Sequence, residues 1–93
     1  MRFEWDERKN QENLRKHGLD FRDAPEVFDS PILTRLDNRE DYGEERWTGI
    51  GTLQGRVVVV VFTELNGGEI VRIISMRKAV KHERQAYEKV LAN

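Results

Sequence analysis

From residue 46 onward the apolar positions fall in short blocks separated by glycine-bearing turns, and the blocks have the length and composition of strands. Arg46 to Leu53 carries Trp47 and Ile50, Arg56 to Thr63 contains Val57-Val58-Val59-Val60-Val61-Phe62, and Glu69 to Met76 is rich in Ile and Val. Gln54-Gly55 and Asn66-Gly67-Gly68 supply residues that tolerate positive φ, as tight hairpin turns require. An apolar run this long leaves no polar face, so the valine strand is predicted to be central and buried on both sides. The alternation from Ile32 to Leu36 predicts one more short strand, and the highly polar stretch Asp37 to Glu45 reads as a solvated loop.

The first third of the chain has a helical rhythm instead. Asp6 is a suitable N-cap and Gly18 a suitable stop, which predicts a helix over residues 6 to 17. Its inward positions are Asn10, Asn13, Leu14 and His17, of which only Leu14 is aliphatic. Either Trp5 and Leu14 hold this helix down, or its inner face lines a polar site. Phe21, Ala24, Val27 and Phe28 predict a second helix. Pro25 fits only in a first turn, which places the start near Asp23. At the other end, Ala79 to Ala92 reads as a helix in which Val80, Tyr87, Val90 and Leu91 pack down while Lys81, Glu88 and Lys89 face water. Helix, helix, four strands in a meander and a final helix predict an α+β domain spanning residues 1–93. The expected form is a four-stranded antiparallel sheet with two N-terminal helices and one C-terminal helix on one face.

Composition narrows the chemistry. With 93 residues there is enough chain for an independent core, and the absence of cysteine excludes disulfides and thiolate chemistry. The first residues lack the apolar core of a signal peptide, and no apolar stretch approaches the roughly 20 residues of a membrane helix. A cytoplasmic protein with no membrane partner is expected. Net charge is −1, yet residues 1–46 carry 9 basic and 13 acidic side chains while residues 47–93 carry 7 and 4. Arg72, Arg77, Lys78, Lys81 and Arg84 face only Glu83 over their stretch of sequence. A positive patch therefore persists despite overall neutrality, and its guanidinium forks suit phosphate groups. The alternative is an ordinary solvated face.

Two further groupings carry candidate chemistry. Lys9, Asn13, Lys16 and His17 share one side of the first helix, where imidazole is the side chain that exchanges protons near neutral pH. A histidine just before a capping glycine also complements the helix dipole, so capping is the competing role. Near the C-terminus, Glu83 and Tyr87 lie four residues apart on one face; Glu83 with Arg84 suits orienting a phosphate-binding group, and Tyr87 suits either proton transfer or packing. No metal-ligand spacing and no phosphate loop stand out, so no cofactor is expected.

Several local patterns occur together: Phe3-Glu4-Trp5-Asp6, Lys9, Asn13, Lys16-His17-Gly18, Phe21, Ala24 and Val27-Phe28, then Glu45-Arg46 and Ile50-Gly51. They continue with Ile73-Ile74-Ser75, Arg77-Lys78-Ala79, Glu83-Arg84 and Tyr87. In this order the chain resembles the BrnT family, toxins of type II toxin–antitoxin systems with a RelE-like ribonuclease fold, and the resemblance covers nearly the whole chain. Pro25 and Met76 depart from it: the pattern usually continues a helix at the first and has a small residue at the second.

The resemblance implies an RNA-cleaving toxin that inhibits translation. It also implies neutralisation by a BrnA-like ribbon-helix-helix antitoxin, with operator DNA bound only through that partner. Metal-independent cleavage by the 2′-hydroxyl needs a proton acceptor, a proton donor and cations around the phosphorane. Arg77 and Lys78 are expected to stabilise phosphate, with His17 first and Tyr87 second for proton transfer. Lys9, Asn13, Arg46, Arg72, Lys81 and Arg84 are the expected RNA contacts. Exposed apolar surface on the sheet or on the second helix is the expected antitoxin dock. The competing expectation is a non-catalytic interaction module that acts with the antitoxin in operon autoregulation.

Overall fold

The computed structural model describes residues 1–92, which form an α+β fold around a five-stranded mixed sheet. In chain order the elements are β1 (Arg2–Glu4), α1 (Glu7–His17), a 3-10 turn at Phe21–Asp23, α2 (Ala24–Asp29), β2 (Leu33–Asp37), β3 (Arg46–Leu53), β4 (Arg56–Leu65), β5 (Ile70–Lys78) and α3 (Lys81–Ala92). The sheet order is β1-β5-β4-β3-β2, so the valine strand is central as its composition requires. The expected four-stranded antiparallel sheet is corrected by β1, which pairs in parallel with β5. Three residues carry too little periodicity to register as a strand, and their partner lies far along the chain.

Alternation along the strands divides the sheet into two faces. On one, Val58, Val60, Phe62, Ile73 and Met76 pack with Phe21, Ala24 and Val27 into the main core. Each fully buried Val or Phe side chain contributes roughly 1.5–3 kcal/mol. Phe28 meets the Phe62 ring edge-on at 4.9 Å between centroids, so the apolar side of α2, one of the two surfaces expected to be exposed, is turned into the core. Pro25 lies in the first turn of α2, where its missing N–H costs no helical bond. Met76 is wholly buried in the core. Gly51 belongs to this face as well: a Cβ there would come within 2.9 Å of Val27 Cγ1 and 3.1 Å of the Val27 carbonyl oxygen, so its absence lets α2 sit directly on β3.

The third helix lies across the opposite face, correcting the expectation that all helices share one side. Its Glu83 meets Arg77 of β5, and its Tyr87 is buried with its hydroxyl donating to the Pro31 carbonyl. Val80, Val90 and Leu91, expected to pack down, are 48%, 55% and 45% exposed. The helix is anchored at Glu83 and Tyr87, and the apolar groups toward its two ends remain in contact with water.

At the sheet's other margin, α1 solves a different problem. Asp6 caps it by accepting from the Arg8 and Lys9 amides, and Gly18, at φ 73°, closes it with a hydrogen bond from its backbone N–H to Leu14 O. Leu14 itself is exposed, so it does not hold the helix down. The anchors are Asn10 and Asn13. Asn10 accepts from the Phe21 amide and donates to Asp20, while Asn13 accepts from Met76 N and donates to both Met76 O and Leu19 O. Beyond Glu4, which pairs with Arg72, no described strand lies on the outer edge of β5, and the Asn13 amide supplies the missing donor and acceptor.

Candidate functional site

Cross-strand register on the α3 side places Leu33, Ile50, Val59 and Arg77 in one row and Arg35, Thr48, Val61 and Ser75 in the next. A bulge at Ile74, between the Val61–Ser75 and Phe62–Ile73 pairs, bends β5 beside Ser75. Three depressions meet on this face. The middle one, about 240 Å³, is lined by Arg35, Asp37, Arg39, Ser75, Arg77 and Glu83. Ser75 also borders a depression of about 260 Å³ with Lys9, Lys16 and His17 of α1. On the other side Arg35 and Glu83 border a third, about 350 Å³, walled by Leu33, Ile50, His82 and Ala86. Together they make a trough across the sheet, polar in the middle and more apolar beside Leu33 and Ile50, with a histidine toward each end.

Arg77 is the best-fixed cation in the trough. Its Nη1 and Nη2 donate to the two Glu83 oxygens at 2.7 and 2.9 Å, an end-on fork in which both bonds are charge-assisted. Glu83 also accepts from the Val80 amide at 2.9 Å, so one carboxylate caps α3 and orients the guanidinium. The Arg77 bond holds the Glu83 carboxyl down at about 2, with burial opposing. Arg77 in turn is raised, first by Glu83, while burial and the charge of Arg39 act against it. Its Nε–H has no acceptor among the described residues, which leaves the side edge of the fork open for an oxyanion.

Arg39 lies in the stretch expected to be a solvated loop. It grips Asp37 through Nε and Nη2 at 2.9 and 2.8 Å and holds that carboxyl at about 2. Asp37 is buried, so the loop folds back over the end of the sheet. Two guanidinium groups, each braced by its own carboxylate, therefore border one depression. Sequence reasoning missed Arg35, Arg39 and Ser75. The alternation Leu33-Thr34-Arg35 held the signal for Arg35, whereas the polarity around Arg39 concealed its order.

The remaining expected site residues separate. Lys9, Lys16 and His17 do share one face of α1, as their spacing predicted, and that face borders a depression with Ser75. Asn13 lines the same depression, but both its donors and its carbonyl are engaged with backbone. Lys78 follows Arg77 in the strand and pairs across from Val58, so it leaves the sheet on the other side and does not join Arg77 on one phosphate. Arg84, at the start of α3, borders the same depression as Lys78 at the end of the sheet and donates to Ala79 O. Lys81 is exposed at the start of α3. Arg72 is paired with Glu4 at 2.8 Å. Arg46 stacks on Tyr42 at 4.1 Å from the ring centre, and its buried Nε lacks a hydrogen-bond partner among the described residues, the Glu44 carboxylate being 3.5 Å away. The Tyr87 hydroxyl donates to the Pro31 carbonyl and the side chain is buried, so the residue anchors α3 and stands apart from the trough's open cations.

Such a trough presents oriented guanidinium groups, exposed lysines and a histidine, and among the described residues no cluster of metal-binding side chains accompanies them. Nor is any described helix long and apolar enough to cross a membrane. No curated protein matches the chain. A family model described as the ribonuclease toxin BrnT of type II toxin–antitoxin systems matches residues 5–83, a span that holds α1, the sheet from β2 to β5 and the Arg77–Glu83 pair. With that match across most of its length, the chain belongs to the BrnT family of type II ribonuclease toxins.

Proposed function

We propose that this chain is a metal-independent, RelE-like endoribonuclease acting as one domain, which inhibits translation and is silenced by a cognate ribbon-helix-helix antitoxin. Family membership implies RNA as the substrate and an antitoxin as the partner. The observation that carries the reading further is the trough in which Arg77 and Arg39 border one depression with preset orientations. A phosphodiester seated at the open edge of Arg77 gains charge as its 2′-oxygen attacks, and fixed cations favour that state over the ground state. The P–O5′ bond breaks and leaves a 2′,3′-cyclic phosphate and a 5′-hydroxyl. A base takes the 2′-proton and an acid supplies one to the 5′-oxygen.

His17 is assigned to proton transfer because Glu83 and Asp37 are held ionised by their arginines, whereas His17 stands beside Ser75 with no side-chain partner among the described residues. Lys9 and Lys16 would steady the flanking phosphate, and Arg35 the strand on the opposite side.

Incubating the purified chain with RNA in the presence of EDTA tests the proposal, with cyclic-phosphate products expected. Arg77→Ala is expected to abolish cleavage without unfolding the chain. A folded Arg77→Ala protein with parental activity, or a parent that leaves RNA intact, would return the chain to a non-catalytic role beside its antitoxin. For His17, the pH–rate profile of His17→Gln decides: an unchanged profile and rate would leave it as a helix cap.

A further inference from the structure

The basic run that looks like one patch in the sequence is divided by the fold. Arg77 faces the trough, while Lys78 emerges on the other side of the sheet at the end of β5. The tight turn at Gln54-Gly55 brings Arg56 to the start of β4, two residues from Val58 and so on the same face as Lys78. The start of α3 brings Arg84, fixed by an Nη1 bond to Ala79 O at 3.2 Å that leaves its other donors without acceptors among the described residues. These three cations, from three separate elements, line a depression of about 510 Å³ with Glu88 as its one carboxylate.

The charge pairing differs sharply from the trough. There Arg39 and Arg77 each have a carboxylate, at 2.8 and 2.7 Å. Here neither Arg56 nor Lys78 has an ion pair among the described residues. Three positive groups lining one depression repel one another, and an anion laid among them relieves that repulsion. Lys81 is exposed at the first position of α3, a helix whose first two turns border both this depression, through Arg84 and Glu88, and the trough, through His82 and Glu83.

We propose that Arg56, Lys78 and Arg84 form a second phosphate-binding surface, which holds the single RNA strand after it leaves the trough past Lys81. The inference rests on the ribonuclease reading and adds to it a path for the substrate: a long strand turns round the start of α3 and touches both sides of the sheet. Short RNA fills only the trough. The surface therefore adds affinity in proportion to strand length and adds nothing to the bond-breaking step.

Fluorescence anisotropy with labelled single-stranded RNAs of about 4 and about 20 nucleotides tests it, using the full chain and its Arg56→Glu and Lys78→Ala variants over a salt series. Each variant is expected to bind the long RNA roughly 10-fold more weakly, with the slope of log affinity on log salt shrinking by about 0.7 for each phosphate no longer neutralised. Affinity for the short RNA should stay within about 2-fold of the parent's, since a purely long-range charge effect would weaken both. Circular dichroism and thermal melting establish that each variant is folded. Long-RNA binding equal to the parent's in both folded variants overturns the surface and leaves the ribonuclease reading intact. A parent that binds neither RNA overturns both. Selective loss of duplex DNA binding with long-RNA binding unchanged overturns the RNA path in favour of a DNA contact.

Discussion

Arg77 and Glu83 meet as two planar forks, with both guanidinium Nη groups on both carboxylate oxygens, and Glu83 simultaneously caps the helix that crosses the trough. The pair therefore fixes a side chain that is otherwise long and flexible. Glu83→Gln keeps the shape and can retain one of the two bonds, but it removes the charge and frees the arginine to rotate. Cleavage should fall roughly 10- to 100-fold, the scale of loss from a small misplacement of a reacting group. The thermal midpoint should fall as well at neutral pH, because the ionised carboxylate that Arg77 stabilises is gone, while Tyr87 keeps α3 docked. Steady-state kinetics beside a melting curve check this, and a parental kcat/KM would mean that Arg77 needs no brace.

Acid should dissolve the same arrangement. The Glu83 and Asp37 carboxyls are held at about 2 in the fold, by Arg77 and Arg39 respectively, below their ordinary values of 4.5 and 3.8. The unfolded chain binds the protons first, so the stability from these pairs is fully present above about pH 5 and is lost as pH falls toward 2. Urea unfolding at stepped pH should show that decline, and Glu83→Gln should show a shallower one. Equal slopes for parent and variant would mean the pair contributes nothing to acid sensitivity.

Asn13 reads in the sequence as a substrate contact because its spacing places it with Lys9 and His17. Its hydrogen bonds instead complete the open edge of β5 at Met76. Asn13→Ala should therefore destabilise the chain by about 2–4 kcal/mol, since it leaves buried backbone groups unpaired. Denaturant titration measures this. A variant of parental stability that had lost only RNA cleavage would return Asn13 to the substrate.

What the sequence revealed and concealed follows the range of the interactions. The valine run announced β4 as central because burial on both faces needs no partner to be identified, and the bounds of β3 were legible from its turns. The short β1 was not legible, since what defines it is a parallel pairing with residues 70–72. Arg77 and Lys78 read as one basic cluster in one dimension, yet strand alternation sends them to opposite faces. Asn13 shows a deeper ambiguity: an amide that binds backbone and an amide that binds substrate look alike until the backbone is placed. Arg39 was hidden for a similar reason, because a polar loop folded by its own ion pair resembles a loop dissolved in water.

Tyr87 gives the clearest separation of packing from chemistry. The residue is 2% exposed, its hydroxyl donates to the Pro31 carbonyl, and it holds α3 against the segment that leads into β2. Tyr87→Phe retains the ring and removes only that bond, so the loss should be about 1 kcal/mol of stability. Because Pro31 is itself exposed, water can reach the freed carbonyl and keep the loss from growing. The pH–rate profile for RNA should be unchanged, whereas loss of a proton donor would alter the rate and its dependence on pH together. A folded Tyr87→Phe chain whose cleavage collapsed would restore Tyr87 to the reaction and require α3 to lift before catalysis.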